Sequence, residues 1–149
     1  MTFIMSKLNK YKIFPELNLL IEFFHGKFGL KELKELKIEE VKEKDYNPNI
    51  NALVDLRESE PLFNENEIID YINFVKQNKK IPGSRYSALL TNNPRDLKTS
   101  LIYILLGKSL PMKFEIFSTL EASLKWIGIA ESNYGLINDV LEEFRHSAT

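Results

Sequence analysis

The chain has no cysteine, two histidines and a single tryptophan among 149 residues. Without thiols it can form no disulfide, thiolate metal site, iron–sulfur cluster or cysteine nucleophile. His25 and His146 lie far apart and show no ligand spacing, so no metal and no cofactor is expected. Long apolar runs are missing too. No segment approaches the roughly 20 apolar residues that cross a bilayer, and the opening MTFIMSKLNKYK lacks the apolar core of a signal peptide. The expectation is a cytoplasmic chain without membrane insertion. Nor is there an excess of charge of one sign: the net value is -1, which argues against a nucleic-acid partner.

What is present suits one globular domain over residues 1–149. Apolar residues make up 44% and charged residues 28%, enough for a single core and within the range of folded chains. The charge is uneven along the sequence. Lys76 to Lys113 holds eight basic residues against Asp96 alone, a net +7, leaving -8 elsewhere. Solvated helix faces explain such segregation most simply.

Hydrophobic patterning predicts alternating strands and helices. Residues 11–14 and 19–24 are short apolar runs separated by Pro15 and Asn18, an opening hairpin. Gly26 and Gly29 then loosen the backbone before a charged helix over about 30–44. Its Leu30, Leu33, Leu36 and Val41 share a stripe, with Lys and Glu outside and a break near Ile38. Residues 51–56 read as a buried strand ending in a charged loop. Asn64 and Glu67 have capping-box spacing for a helix over 65–79, and residues 86–91 form the next strand. Asn93 can cap a helix that Pro94 begins, spanning 94–107 with Leu97, Leu101, Ile104 and Leu105 inward. A strand at 113–117, a helix capped at Ser118 and stopped at Gly128, and an amphipathic helix over about 133–146 complete the chain. Strand–helix alternation implies right-handed crossovers, hence an α/β domain with a four- or five-stranded, mostly parallel sheet and an N-terminal antiparallel hairpin.

That order, with Asp55 near the end of the third strand and Phe117-Ser-Thr-Leu-Glu-Ala-Ser-Leu-Lys-Trp-Ile-Gly128 near the close, resembles the STAS/SEC14-like superfamily. More narrowly, residues 10–128 look like small bacterial proteins with the fold of sporulation anti-sigma-factor antagonists. The resemblance implies a phosphorylatable serine in an Asp-Ser-Ser-Gly-like turn after the third strand. Here the region reads Asp55-Leu-Arg-Glu-Ser-Glu-Pro61, and Ser59 is a displaced candidate between Glu58 and Glu60. An acidic loop is the simpler reading, because a phosphate between two carboxylates is repelled. The lipid carriers of the superfamily are considerably larger domains, so the resemblance gives little support for carrying a phospholipid.

Catalytic motifs fail on inspection, and no catalytic residue is assigned. Gly107-Lys-Ser109 ends a helix, and the earlier glycine that a phosphate loop requires falls on Ile102. His25 reads as structural, with an acid–base role opposite Asp55 and Arg57 as its alternative. Trp126 reads as an aromatic plug at the sheet edge. Two binding surfaces remain. Arg57, Asn92, Asn93, Arg95 and Lys98 surround the carboxyl ends of the central strands and the start of a helix, where a small anion would bind. Tyr134, Ile137, Leu141 and Phe144 line one face of the last helix, which docks a protein partner, closes a homodimer or packs on its own domain. The leading functional reading is a noncatalytic cytoplasmic regulatory or scaffold domain that binds an unidentified protein. A small-anion sensor and an enzyme using a His/Asp/Arg site are the alternatives.

Overall fold

A computed structural model describes residues 9–148, with Arg95 described by its backbone alone. Five strands form one sheet in sequence order: β1 (Lys10–Phe14), β2 (Leu19–Phe28), β3 (Asn51–Pro61), β4 (Tyr86–Leu90) and β5 (Lys113–Phe117). β1 runs antiparallel to β2, and every later pairing is parallel. The helices are α1 (Leu30–Val41), α2 (Glu65–Gln77), α3 (Pro94–Leu106), α4 (Leu120–Ile127) and α5 (Tyr134–Ser147). The expected α/β architecture is therefore present, with five strands. None of these helices is long and apolar enough to cross a membrane among the described residues.

Local chemistry explains the boundaries. The tight hairpin between β1 and β2 turns through Pro15 and closes at Asn18, whose φ of 49° an asparagine tolerates. At the start of α2 the Glu67 N–H donates to Asn64 Oδ1 at 2.8 Å, and the Asn64 N–H donates back to Glu67 Oε1 at 3.2 Å. That reciprocal pair satisfies two amides the helix cannot satisfy itself. α4 starts one residue later than its sequence suggests, because Thr119 rather than Ser118 accepts from the Ala122 N–H. It stops at Gly128, whose φ of 98° is left-handed.

Three expectations are corrected. β2 and β3 do not end near residues 24 and 56 but continue, pairing His25 with Glu58 through Phe28 with Pro61 beyond a bulge after Phe23. Gly26, with φ of 70°, belongs to this extension, and the expected acidic loop is strand. α1 is one helix without a break at Ile38, which is exposed while Lys37 and Glu40 are buried. α3 is rotated from its expected phase. Asp96 and Ser100 are buried, Tyr103 packs into the core, and Leu97, Leu101 and Leu105 point outward.

The two faces of the sheet differ. On one, alternate side chains Leu19, Ile21 and Phe23 of β2, Leu53 of β3 and Ala88 and Leu90 of β4 meet Leu120, Leu124 and Ile127 of α4. Ile137, Val140 and Leu141 of α5 complete this layer, and Trp126 packs edge-on to Tyr86 at 5.2 Å. On the other face, α1, α2 and α3 cover the sheet with Leu36, Ile68, Tyr71, Ile72 and Val75 among the buried residues. Of the alternatives left open for the last helix, α5 packs on its own domain: Ile137 and Leu141 are fully buried, while Tyr134 and Phe144 pack partly buried against them. Leu141→Ala should lower unfolding free energy by about 2–5 kcal/mol in urea titrations. Leu136→Ala, on the exposed side of α5, should change it by less than about 0.5 kcal/mol.

Candidate functional site

The face under α1, α2 and α3 carries charge where an ordinary core carries none. Glu22 sits in the middle of β2, and strand alternation turns it away from Ile21 and Phe23 toward α1. Lys37 and Glu40 lie one turn apart on the inner face of α1. The Lys37 ammonium donates to Glu22 Oε2 at 2.9 Å and lies 2.8 Å from Glu40 Oε1, and all three residues are almost wholly buried. Desolvation alone would push the Glu22 carboxyl up. The Lys37 ammonium, a hydrogen bond from Glu40 and the charge of Arg85 outweigh it and hold Glu22 at about 2. Glu40 moves the opposite way, well above the usual carboxylate range, through burial and the charge of Glu22. Of the two carboxyls it is Glu40 that keeps its proton to the higher pH. Desolvation works against the Lys37 charge, but the two carboxyls outweigh it and raise the ammonium above its ordinary range.

Arg85 enters from the foot of β4 and is buried. Its Nη1 donates to Tyr46 Oη at 2.9 Å and to the Ile81 carbonyl at 3.2 Å, while Tyr46 itself donates to that carbonyl at 3.0 Å. Both acceptors are neutral. Arg85 Nε is buried with no hydrogen-bond partner. Between this cluster and the helices lies a cavity of about 100 Å³, lined mostly by apolar side chains such as Phe24, Val54, Leu56 and Leu89, together with Glu22, Lys37, Arg85 and the small polar Ser87, Thr99 and Ser100. Tyr71 and Tyr103 complete its wall. Burial pushes the Tyr103 hydroxyl up to about 12 and raises that of Tyr71 as well, so both remain protonated donors.

The residues expected to bind an anion stand elsewhere. Arg57 forks onto Asp55, with Nε donating to Oδ1 at 3.0 Å and Nη2 to Oδ2 at 2.9 Å, so its charge is already met by a fully buried carboxylate. Asn92 and Lys98 are exposed. Asn93 is half-buried, its carbonyl accepting from the Leu97 N–H in the first turn of α3. The side chain of Arg95 lies outside the described residues. Of the acid–base alternative, His25 stacks on Phe23 at 6.3 Å and its Nδ1 is buried without a partner, while Asp55 is occupied by Arg57. The Ser59 hydroxyl is buried and donates to the Leu56 carbonyl at 2.8 Å.

Sequence reasoning missed Glu22, Lys37, Glu40 and Arg85. The signal was present: a lone glutamate inside the run Leu19-Leu-Ile-Glu-Phe-Phe24, and a lysine and glutamate in phase with Leu33 and Leu36. The pair makes a pH-dependent prediction. Because Glu22 is lowered from about 4.5 in the unfolded chain to about 2 in the fold, its stabilisation is present above about pH 4.5 and is lost as pH falls toward 2. Urea titrations across that window should show the loss in the wild type and not in Glu22→Gln. At pH 7, Glu22→Gln should destabilise the fold by less than the about 3–5 kcal/mol of a fully stranded charge, since Glu40, 2.8 Å from Lys37, is then released to ionise. Glu40→Gln should leave stability unchanged or raise it, because it removes a carboxyl whose ionisation both burial and the charge of Glu22 oppose.

No protein-family model and no curated protein matches this chain. Among solved structures it is similar to an uncharacterized protein of the DUF3478 family from Shewanella loihica PV-4, described as having a SpoIIAA-like fold. The match covers 84% of this chain and 99% of that one, with a TM-score of 0.52 and 17% sequence identity. At that identity the likeness is one of fold, and the chain has a SpoIIAA-like, STAS-like fold.

Proposed function

We propose that this protein is a noncatalytic cytoplasmic regulatory or scaffold domain that docks a protein partner along α3. The observation that carries the reading is the rotation of that helix. It turns Asp96, Ser100 and Tyr103 inward and leaves Leu97, Leu101 and Leu105 41%, 49% and 61% exposed. Residues four apart stack along one helix face, so the three leucines make a continuous apolar ridge. Such a ridge fits a partner that offers a groove for i, i+4 and i+8 anchors. Lys98 and Lys108 are exposed on the same helix and just beyond it, which favours an acidic rim around that groove. The sheet beneath supplies a rigid platform, and α5 completes the domain rather than reaching for a partner.

A photocrosslinker placed at residue 101 should join the partner, and one at exposed Glu143 on α5 should not. The partner so identified, purified, should bind the wild type saturably. Leu101→Glu together with Leu105→Glu should weaken it at least tenfold while leaving the urea midpoint near wild type, because both side chains are exposed. Equal binding by that double variant, or crosslinking only between copies of this chain, would reject the reading.

A further inference from the structure

We propose that the cavity beneath α1, α2 and α3 is a binding site for a small apolar monoacid, a benzene-sized or short branched hydrocarbon whose carboxylate is taken by the Arg85 guanidinium. The site is distinct from the α3 ridge, which faces outward, and does not depend on it.

The first argument is geometric. Arg85 is 6% exposed, lines the cavity, and holds an Nε–H with no acceptor. Its Nη1 is satisfied only by a phenol and a peptide carbonyl, which carry no charge. A buried donor left unmade is costly, and more so on a cation whose hydrogen bonds go to neutral acceptors. A carboxylate supplies acceptor and charge together, and guanidinium–carboxylate contact is the strongest pairing open to this group. The second argument is the local charge balance. Lys37 and Arg85 are two cations, Glu22 is one anion already held by Lys37 at 2.9 Å, and burial and the charge of Glu22 oppose a second anion at Glu40. The enclosed set is therefore one positive charge in excess, beside walls of low polarity.

Size and lining define the remainder of the ligand. The cavity of about 100 Å³ approaches engineered apolar cavities of about 150 Å³ that admit benzene. It accepts a ring or a short branched chain and excludes a phospholipid. Phe24, Val54, Leu56 and Leu89 contact the hydrocarbon, and the Tyr71 and Tyr103 hydroxyls offer further donors to the acid.

Calorimetry and thermal melts of the intact protein with benzoate, phenylacetate and 3-methylbutanoate, each against its neutral amide, test the assignment. At least one acid should bind with one-to-one stoichiometry and at least tenfold more tightly than its amide, and should raise the melting temperature. Arg85→Gln should erase the preference of acid over amide. Ser87→Leu, which fills the cavity from β4, should abolish binding of both while retaining the wild-type circular dichroism spectrum. Should Arg85→Gln not fold, the wild-type comparison stands alone, with acid-induced chemical-shift changes expected at the methyls of Val54, Leu56 and Leu89. The proposal is overturned if no acid binds the wild type, if acid and amide bind equally, or if Ser87→Leu binds the acid as tightly as wild type.

Discussion

The contact between Glu22 and Lys37 decides how the first half of this chain is built. A carboxylate in the middle of an interior strand meets an ammonium on the covering helix, which also lies against Glu40 of its own helix, once all three leave water. Their attraction fixes the rotation of α1 about its axis and its height along β2. Apolar packing alone specifies neither sharply, since Leu33 and Leu36 tolerate small slides. The pair adds little net stability over an apolar replacement of equal volume, but breaking it strands a charge. That asymmetry gives one docking of α1 an advantage over its neighbours.

With α1 so fixed, the two layers around the sheet divide their tasks. The layer of α4 and α5 is filled mainly by Leu, Ile, Val and aromatic side chains, with the buried Asp55 forked by Arg57, and at its periphery Arg145 meets Glu58 at 2.8 Å. The layer of α1, α2 and α3 contains the charge cluster, two tyrosines and the cavity.

The sequence made the fold legible and the charged interior illegible for the same reason. The apolar runs of β3 and β4 and the Asn64–Glu67 cap of α2 are local signals, and each of these elements begins where its pattern places it. The phase of α3 is not local. That helix has apolar residues on two stripes, so Leu101 and Leu105 satisfy an inward reading as well as Ile102 and Tyr103 do, and the sheet surface beneath chooses. The inward turn of Lys37 and Glu40 likewise depends on Glu22, fifteen residues before Lys37, which only the assembled fold brings opposite them. Arg57 was legible as a cation at a strand end. Its capture by Asp55 depends on β3 continuing as strand beyond Leu56, where a loop is the simpler expectation.

β2 and β3 extend as a paired ribbon past the point where β4 leaves off, for β4 meets β3 only from Ala52 to Asp55. The stretch from Leu56 to Pro61 therefore carries one flank outside the described ladder. Bare flanks of this type are templates on which a second chain can add a strand, the first step toward aggregation. Here that flank is hostile to a guest: Arg57, Glu58 and Glu60 supply charge, Pro61 lacks an N–H to donate, and the bulge at Leu56 and Arg57, two residues opposite Phe24 alone, bends the ribbon away from the flat geometry that added strands require. The acidic run that reads as a loop in the sequence is thus what allows two strands to outgrow their sheet without inviting another chain onto it.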